Sequence, residues 1–574
     1  MNLILRYIRP HFKYLGITFV IKTLATIIEL IIPYILSHIV DVIVPKEKIG
    51  EIVFWGFMMI ICAAAAYLFN VIANRRSVKT AKECTEKIRH DLFHASLHLS
   101  CKNADTLTIP SLESRLTSDT YNLHHFIGMM QRIGVRAPLL LFGGVVITLV
   151  LDPALALVMI AILPFLTAFV IFISKKTVPM YTEVQKNVDG MVRVVREDSQ
   201  GIRVIKALSK KDYERRRFDT ANKSLVGIEK KVGYVTALSN PVMQVFMNLG
   251  LVAVVLVGAF RVNEGLTQPG KIIAFTQYFT LISTSMMVLS RIFMAYSKGV
   301  ASATRIGEVI DMKNEILDLP ESDFPIGDEK YHISFENVYF GYHEGKNVLH
   351  DISFKLKRGQ TLGIIGATGS GKTTLAALLM RFYDVSEGSV KIGGRDVRSI
   401  NNDILHSMFG VALQNDFLFA GTIKENIDFG RNLSFEDIKE GARRAQALEF
   451  IEQFEEGFEH EISSKGTNIS GGQKQRLLIS RALAGNPEIL ILDDSSSALD
   501  YKTDLNLRRA IAEQNGDSTV IIVAQRISSV MNSDLIIVLD EGRINGIGTH
   551  EELLKTCSIY KEISESQMGG AFLE

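Results

Sequence analysis

Gly366 to Thr373 read GATGSGKT. A glycine, four variable residues and then Gly-Lys-Thr is the spacing that closes backbone N–H groups around the phosphates of a nucleotide. The candidate cradle is Gly366, Ala367, Thr368, Gly369, Ser370, Gly371, Lys372 and Thr373 with the following Thr374. Lys372 would reach the β- and γ-phosphates, and the Thr373 hydroxyl would take Mg²⁺. About 120 residues further on, ILILD (489–493) reads as a buried strand whose terminal Asp493 completes a metal site. A second carboxylate, Asp494, follows at once.

These groups need a rigid frame. The strand-like run TLGII precedes the glycine loop and the helical run KTTLAALLM follows it, which is the context the motif requires. From about Tyr331, short apolar runs alternate with helical stretches: HISFENVYFGY, EILILDD, TVIIVA and DLIIVLDEG. The alternation predicts an α/β domain over 331–574 with a largely parallel sheet. Ahead of it, 312–330 is acidic, polar and twice broken by proline, and reads as a linker.

Residues 1–311 are of another kind. Six apolar segments, near 14–40, 52–74, 133–151, 154–174, 234–260 and 271–296, are each long enough to span a bilayer, which takes about 20 residues. Lys and Arg gather on one side of them. Arg6, Arg9 and Lys13 precede the first span, Arg75, Arg76 and Lys79 follow the second, and Lys175 and Lys176 follow the fourth. By the positive-inside rule both termini and the α/β domain are expected in the cytoplasm, in a multi-pass protein of the cell (plasma) membrane. The connections 75–132 and 175–233 are long and helical in period, and predict two antiparallel arm pairs reaching roughly 35–40 Å from the bilayer. Their turns are expected at 108–120 and 201–214. Lys22 and Glu29 share one face of the first span; they either line a translocation path or pair with neighbouring helices, or Lys22 snorkels to the interface. The Met and aromatic residues of the sixth span offer a plastic binding surface, or else face lipid or pack helices.

The composition agrees with this division. The chain has 574 residues, 47% of them hydrophobic, with a formal net charge of +1, which speaks against a nucleic-acid partner. Cys62, Cys84, Cys101 and Cys557 are scattered without metal-ligand spacing and read as isolated thiols. The start, MNLILRYIRPHFKY, lacks the cleavage site of a signal peptide and reads as a lead-in to the first span.

NISGGQKQRLLISRAL (468–483) resembles the signature motif of ATP-binding-cassette (ABC) proteins. The whole chain is similar to their exporter half-transporters, an α-helical six-span membrane domain of the type IV ABC exporter fold followed by an α/β P-loop nucleotide-binding domain. The resemblance implies ATP and Mg²⁺ as cofactors, with Thr373, Gln414 and Asp493 as metal groups. It implies that Tyr342 stacks on adenine, that Gln414 senses Mg²⁺ and the membrane domain, and that SALD with Asp500 is the D-loop. ESRLTSDT and REDSQGIRVIKALSKKDYERRRF look like the two intracellular loops with their coupling helices. In that family two nucleotide-binding domains meet head to tail. Ser470, Gly471, Gly472 and Gln473 would thus close on the ATP of a second half-transporter, and a six-span chain must dimerise.

Two positions depart from the family's pattern. Members that hydrolyse ATP well have Glu after the strand aspartate; Asp494 is one methylene shorter, which sets its carboxylate roughly 1.5 Å back from the attacking water. Where a switch histidine is expected, VAQRISS has Gln525, which can hydrogen-bond a γ-phosphate but cannot carry charge or relay a proton. HEISSKGTN, before the signature, also differs from the family's usual acidic loop. Both catalytic positions belong to the site built on this chain's own P-loop. The expectation is a site that binds ATP and turns it over slowly, in a heterodimer with an unlike half-transporter; two copies of this chain are the alternative. Export of amphipathic drugs, lipids or peptides is the leading reading, beside a regulatory subunit that gates a partner and an importer on the exporter fold. The lack of a peptidase-like segment ahead of the first span speaks against a peptide-processing exporter. Six spans exclude a soluble P-loop ATPase.

Overall fold

In a computed structural model the described residues are 2–312, 320, 330–342, 345–414, 416–495, 499–514 and 518–568. The linker read at 312–330 lies outside them except for Met312, Pro320 and Lys330. The chain divides into two compact units: Met1–Leu97 with Thr108–Met312, and His98–Leu107 with Lys313–Glu574.

Among the described residues of the first unit, six helices are long and apolar enough to cross a membrane. Continuous apolar sequence leaves no alternative in lipid, where every backbone N–H must find a carbonyl within its own segment. They are Phe12–His38, Ile49–Leu97, Thr120–Leu151, Pro153–Gln200, Lys211–Asn263 and Pro269–Ile310. Phe12–His38 packs on Ile49–Leu97, Pro153–Gln200 on Lys211–Asn263, and Thr120–Leu151 on Pro269–Ile310. Gly143 and Gly144 permit one close crossing, because a Cβ there would stand 2.6 Å from Leu30 Cδ1 and 2.8 Å from Ile282 Cγ1. The third and fourth helices meet at Asp152, an extended residue whose Oδ1 accepts the N–H groups of Ala154 (3.0 Å) and Leu155 (3.3 Å) with Pro153 at the first helical position.

The membrane ionisable groups pair across helices. Lys22 Nζ donates to Asn70 Oδ1 (2.7 Å) and Asn74 Oδ1 (3.1 Å), and Arg136 Nε donates to Glu29 Oε2 (3.1 Å). Glu29 also borders an open cavity of about 590 Å³ with Thr276 and Gln277. In the sixth span Phe275, Tyr278 and Phe279 are fully buried, so these aromatics pack helices.

The first arm differs from expectation. The helix Ile49–Leu97 runs on for 49 residues, and the chain reverses through the short helix Cys101–Leu107 and Thr108, whose φ is +55°. The turn is therefore near 98–108, and 108–120 belongs to the returning helical stretch. Pro110 does not interrupt that stretch, because proline in a first helical turn lacks only an N–H that would be unsatisfied anyway. The second arm turns through Ile202–Ala207, inside the expected range.

In the second unit a six-stranded sheet runs in the order Arg543–Gly548, Leu535–Asp540, Thr361–Gly366, Thr519–Val523, Ile489–Asp493, Phe409–Ala412. All its pairings are parallel except that of the edge strand Arg543–Gly548. The central strands are buried on both faces: Ile489 and Ile491 enter one core cluster, Leu490 and Leu492 the other. A second, four-stranded antiparallel sheet (Leu349–Leu356, Ile333–Phe340, Glu387–Ile392, Arg395–Asp396) was not foreseen. Its sign in the sequence is the alternation in LHDISFKL, whose every second residue is buried over most of the strand.

Candidate functional site

The strand Thr361–Gly366 lies inside the six-stranded sheet and releases the glycine loop at its C-terminal end. Gly366 is required by space, since a Cβ would stand 2.1 Å from the Leu539 carbonyl oxygen. Gly371 takes φ +100° as the residue capping the helix Lys372–Leu379, and a Cβ there would meet Leu349 Cδ2 at 2.6 Å. The loop thereby leads into the N-terminus of the helix Lys372–Leu379, whose first N–H groups have no helical partner, an arrangement suited to an anion. Lys372 is buried, and its Nζ donates to the carbonyls of Gly366 (2.9 Å) and Ala367 (2.8 Å). Burial lowers its pKa, while Asp493 and Asp494 oppose that shift.

Asp493 and Asp494 stand at the end of a strand two places along the same sheet. Asp493 is 2% exposed, and its Oδ2 has no hydrogen-bond partner among the described residues. Burial pushes its carboxyl above the usual carboxylate range; a hydrogen bond with Thr373 pulls down and the Asp494 charge pushes up. An orphaned carboxylate oxygen beside a threonine hydroxyl is the donor set a hard divalent cation takes, so Mg²⁺ fits these residues.

Asp494 is the centre of the arrangement. Its φ is +46°, and its N–H donates to the Val523 carbonyl at 2.8 Å, so its backbone is pinned. Its Oδ2 accepts Gln525 Nε2 at 3.2 Å and, more weakly, Gln414 Nε2 at 3.4 Å. Burial raises the Asp494 carboxyl, opposed by Lys372 and Arg526. Asp494 and Gln525 are thus in contact, with Gln414 on the same oxygen. A cleft of about 290 Å³ is lined by Tyr342, Thr368, Gly369, Gly371, Lys372, Thr373, Thr374, Gln414, Asp493, Asp494 and Gln525. Tyr342 is 37% exposed, with its hydroxyl 3.0 Å from Thr374 Oγ1.

The signature residues do not line this cleft. Ser470 caps the helix Gly471–Leu483: its Oγ accepts the Gln473 N–H (3.2 Å) while Gln473 Oε1 accepts the Ser470 N–H (2.9 Å). That box leaves the N–H groups of Gly471 and Gly472 without helical partners. Asp500 is exposed, and accepts the Thr503 N–H (3.0 Å) and hydroxyl (2.7 Å) in the first turn of Tyr501–Gln514. Those bonds hold its carboxyl below the usual range, and Ser497 and Ala498 of the D-loop lie outside the described residues.

One residue of the site had no sign in the sequence. The Tyr383 ring meets Tyr342 edge-on (centroids 5.1 Å apart), and its hydroxyl donates to Asp105 Oδ2 at 2.7 Å, within the same unit. No spacing rule joins positions 105, 342 and 383.

A P-loop α/β unit that follows a six-helix membrane unit in one chain is the make-up of an ABC half-transporter. Residues 15–286 match the ABC transporter transmembrane region and residues 349–497 the ABC transporter family. The chain belongs to the ABC transporter family. It is 32% identical over 572 residues to the uncharacterized ABC transporter ATP-binding protein YfiB of Bacillus subtilis (strain 168), covering 99% of both chains. It is 29% identical over 559 residues to the multidrug efflux ATP-binding/permease protein Rv0194 of Mycobacterium tuberculosis, 97% of this chain and 46% of that one. A solved bacterial Atm1-family ABC exporter with ATP bound shares the fold, with a TM-score of 0.81, 22% identity and 98% of each chain covered. ATP-coupled transport follows from the family.

Proposed function

We propose that this chain is one half of an ATP-driven exporter of amphipathic compounds, and that its own P-loop site is kept for holding ATP more than for hydrolysing it. The observation that carries the reading is the Asp494 carboxylate, one methylene short and held by the amides of Gln525 and Gln414. The loop amides and Lys372 would hold the phosphates, and Thr373, Asp493 and Gln414 the Mg²⁺, which screens the phosphate charge when bound. Asp494 would stand back from the attacking water, and Gln525 would bind a γ-phosphate oxygen without relaying a proton. Tyr342 would stack on adenine. The N–H groups of Gly471 and Gly472 would face the ATP of a second half-transporter, the same anion logic applied from the far side.

An unlike partner is the simplest completion, because two copies of this chain would make two slow sites. Transport of amphipathic substrates accords with the multidrug efflux name of one relative. Both termini and the nucleotide-binding domain would lie in the cytoplasm, given the Lys and Arg beside the spans. To test the reading, the chain is purified alone and with a second, unlike half-transporter, and ATPase is measured in proteoliposomes. Slow turnover alone and fast turnover together is expected; fast turnover by the chain alone would sink the idea. ATP-dependent uptake of a cationic dye into inverted vesicles distinguishes an exporter from a regulatory subunit, which would show none.

A further inference from the structure

The loop that carries Gln525 is held from behind. Gln567, near the end of the helix Ser558–Met568, donates its Nε2 to the Gln525 carbonyl at 2.9 Å. Its Oε1 accepts the Ile527 N–H at 2.8 Å. One side-chain amide thus bridges the backbone on both sides of Arg526, using a donor and an acceptor together. The Gln567 side chain is exposed, so it fills no core; its two bonds are what it contributes. The helix that presents it is anchored, because Tyr560 and Cys557 share a buried cluster with Ile527, Val530 and Leu553.

Three bonds therefore fix a short stretch of chain. Gln567 holds the Gln525 carbonyl and the Ile527 N–H, and the Gln525 side chain reaches forward to Asp494 Oδ2. With the backbone clamped, the place of the Gln525 amide along the cleft is set by the C-terminal helix. We infer that Gln567 is a positioning residue, which sets where the Gln525 amide meets a γ-phosphate and so how well this site tells ATP from ADP. The inference rests on the reading of the cleft as an ATP site. A histidine at position 525 could answer a misplacement with its charge; a neutral amide relies on placement, which gives the clamp its importance here.

The test uses the full chain in nanodiscs with Mg²⁺, measuring Kd for ATP and for ADP by displacement of a fluorescent nucleotide. Gln567→Ala is expected to weaken ATP about fivefold, roughly the worth of one neutral hydrogen bond, and to leave ADP unchanged. Gln567→Glu keeps the acceptor for Ile527 but sets a carboxylate oxygen against the Gln525 carbonyl, so ATP is expected to weaken at least as much as in Gln567→Ala while ADP again holds. Equal weakening of ATP and ADP would mean general loosening and overturns the inference, as does an unchanged ratio in both variants. A wild-type chain that binds neither nucleotide removes the ATP-site reading itself; wild-type binding of both with an unaltered ratio in the variants removes only the role of Gln567.

Discussion

Installing a longer carboxylate and an imidazole together, Asp494→Glu with Gln525→His, is expected to raise hydrolysis at this chain's own site by about 10²-fold. The added methylene carries the carboxylate about 1.5 Å further from the backbone. The backbone cannot absorb that step, because the Asp494 N–H is bonded to the Val523 carbonyl at 2.8 Å. The extension is therefore expressed in the cleft, toward the attacking water, and a displacement of about 1 Å at a reacting centre is worth about 10² in rate. The second substitution removes the Gln525 amide from the carboxylate and supplies a group able to carry charge. Asp494→Glu alone keeps that amide in place and is expected to gain only about tenfold, a fraction of what a positioned base supplies. The assay is steady-state ATPase of the complex in proteoliposomes, with the partner's catalytic carboxylate replaced so that only this site contributes. A double variant that binds ATP normally and turns over no faster than wild type would refute the reasoning.

Other consequences follow from the same geometry. Lys372→Ala should weaken ATP about 10- to 100-fold by displacement of a fluorescent nucleotide, the worth of a charge-assisted contact; an unchanged Kd would mean that Lys372 stays on the carbonyls of Gly366 and Ala367. Tyr383→Phe deletes the bond to Asp105 while keeping the ring against Tyr342, so ATP affinity should hold within about twofold while dye uptake into inverted vesicles falls several-fold. Unchanged uptake would make that bond incidental. His332 is buried with Nδ1 2.7 Å from Thr519 Oγ1, and burial, with Arg358 adding to it, lowers its pKa from the ordinary 6.5. The unfolded chain therefore takes up this proton first as pH falls, so stability is full above about pH 6.5 and declines below it. The thermal midpoint should fall between pH 7.5 and 5.5, and His332→Gln should flatten that slope; an equal slope in the variant assigns it to other groups.

The parts of this molecule legible in its sequence are those with a short-range physical cause. Twenty apolar residues have one way to cross lipid, so the number of apolar spans was legible, and each expected span falls on one of the six long helices. The glycine loop was legible because Gly366 and Gly371 meet steric demands that no other residue satisfies. The first arm's turn was misplaced because Leu97 to Ser100 carry no glycine or proline, while Pro110 marks the start of a helix instead of its break. The antiparallel sheet was overlooked where the central parallel strands dominated the pattern. Most of what the site adds was out of reach: Gln414, Asp494 and Gln525 converge on one oxygen although 80 and 31 residues separate the pairs. Asp500 likewise gained a local role, satisfying the first turn of a helix, that its place in a motif did not reveal.

The most direct measurement identifies the nucleotide on each chain during turnover. The complex, cycling in proteoliposomes with Mg²⁺ and 8-azido-[α-³²P]ATP, is photolysed, the two chains are separated, and the nucleotide on each is determined. A site kept for binding predicts unhydrolysed triphosphate on the chain carrying Lys372 and Asp494, with diphosphate accumulating on its partner. Diphosphate in equal amounts on both chains would contradict it.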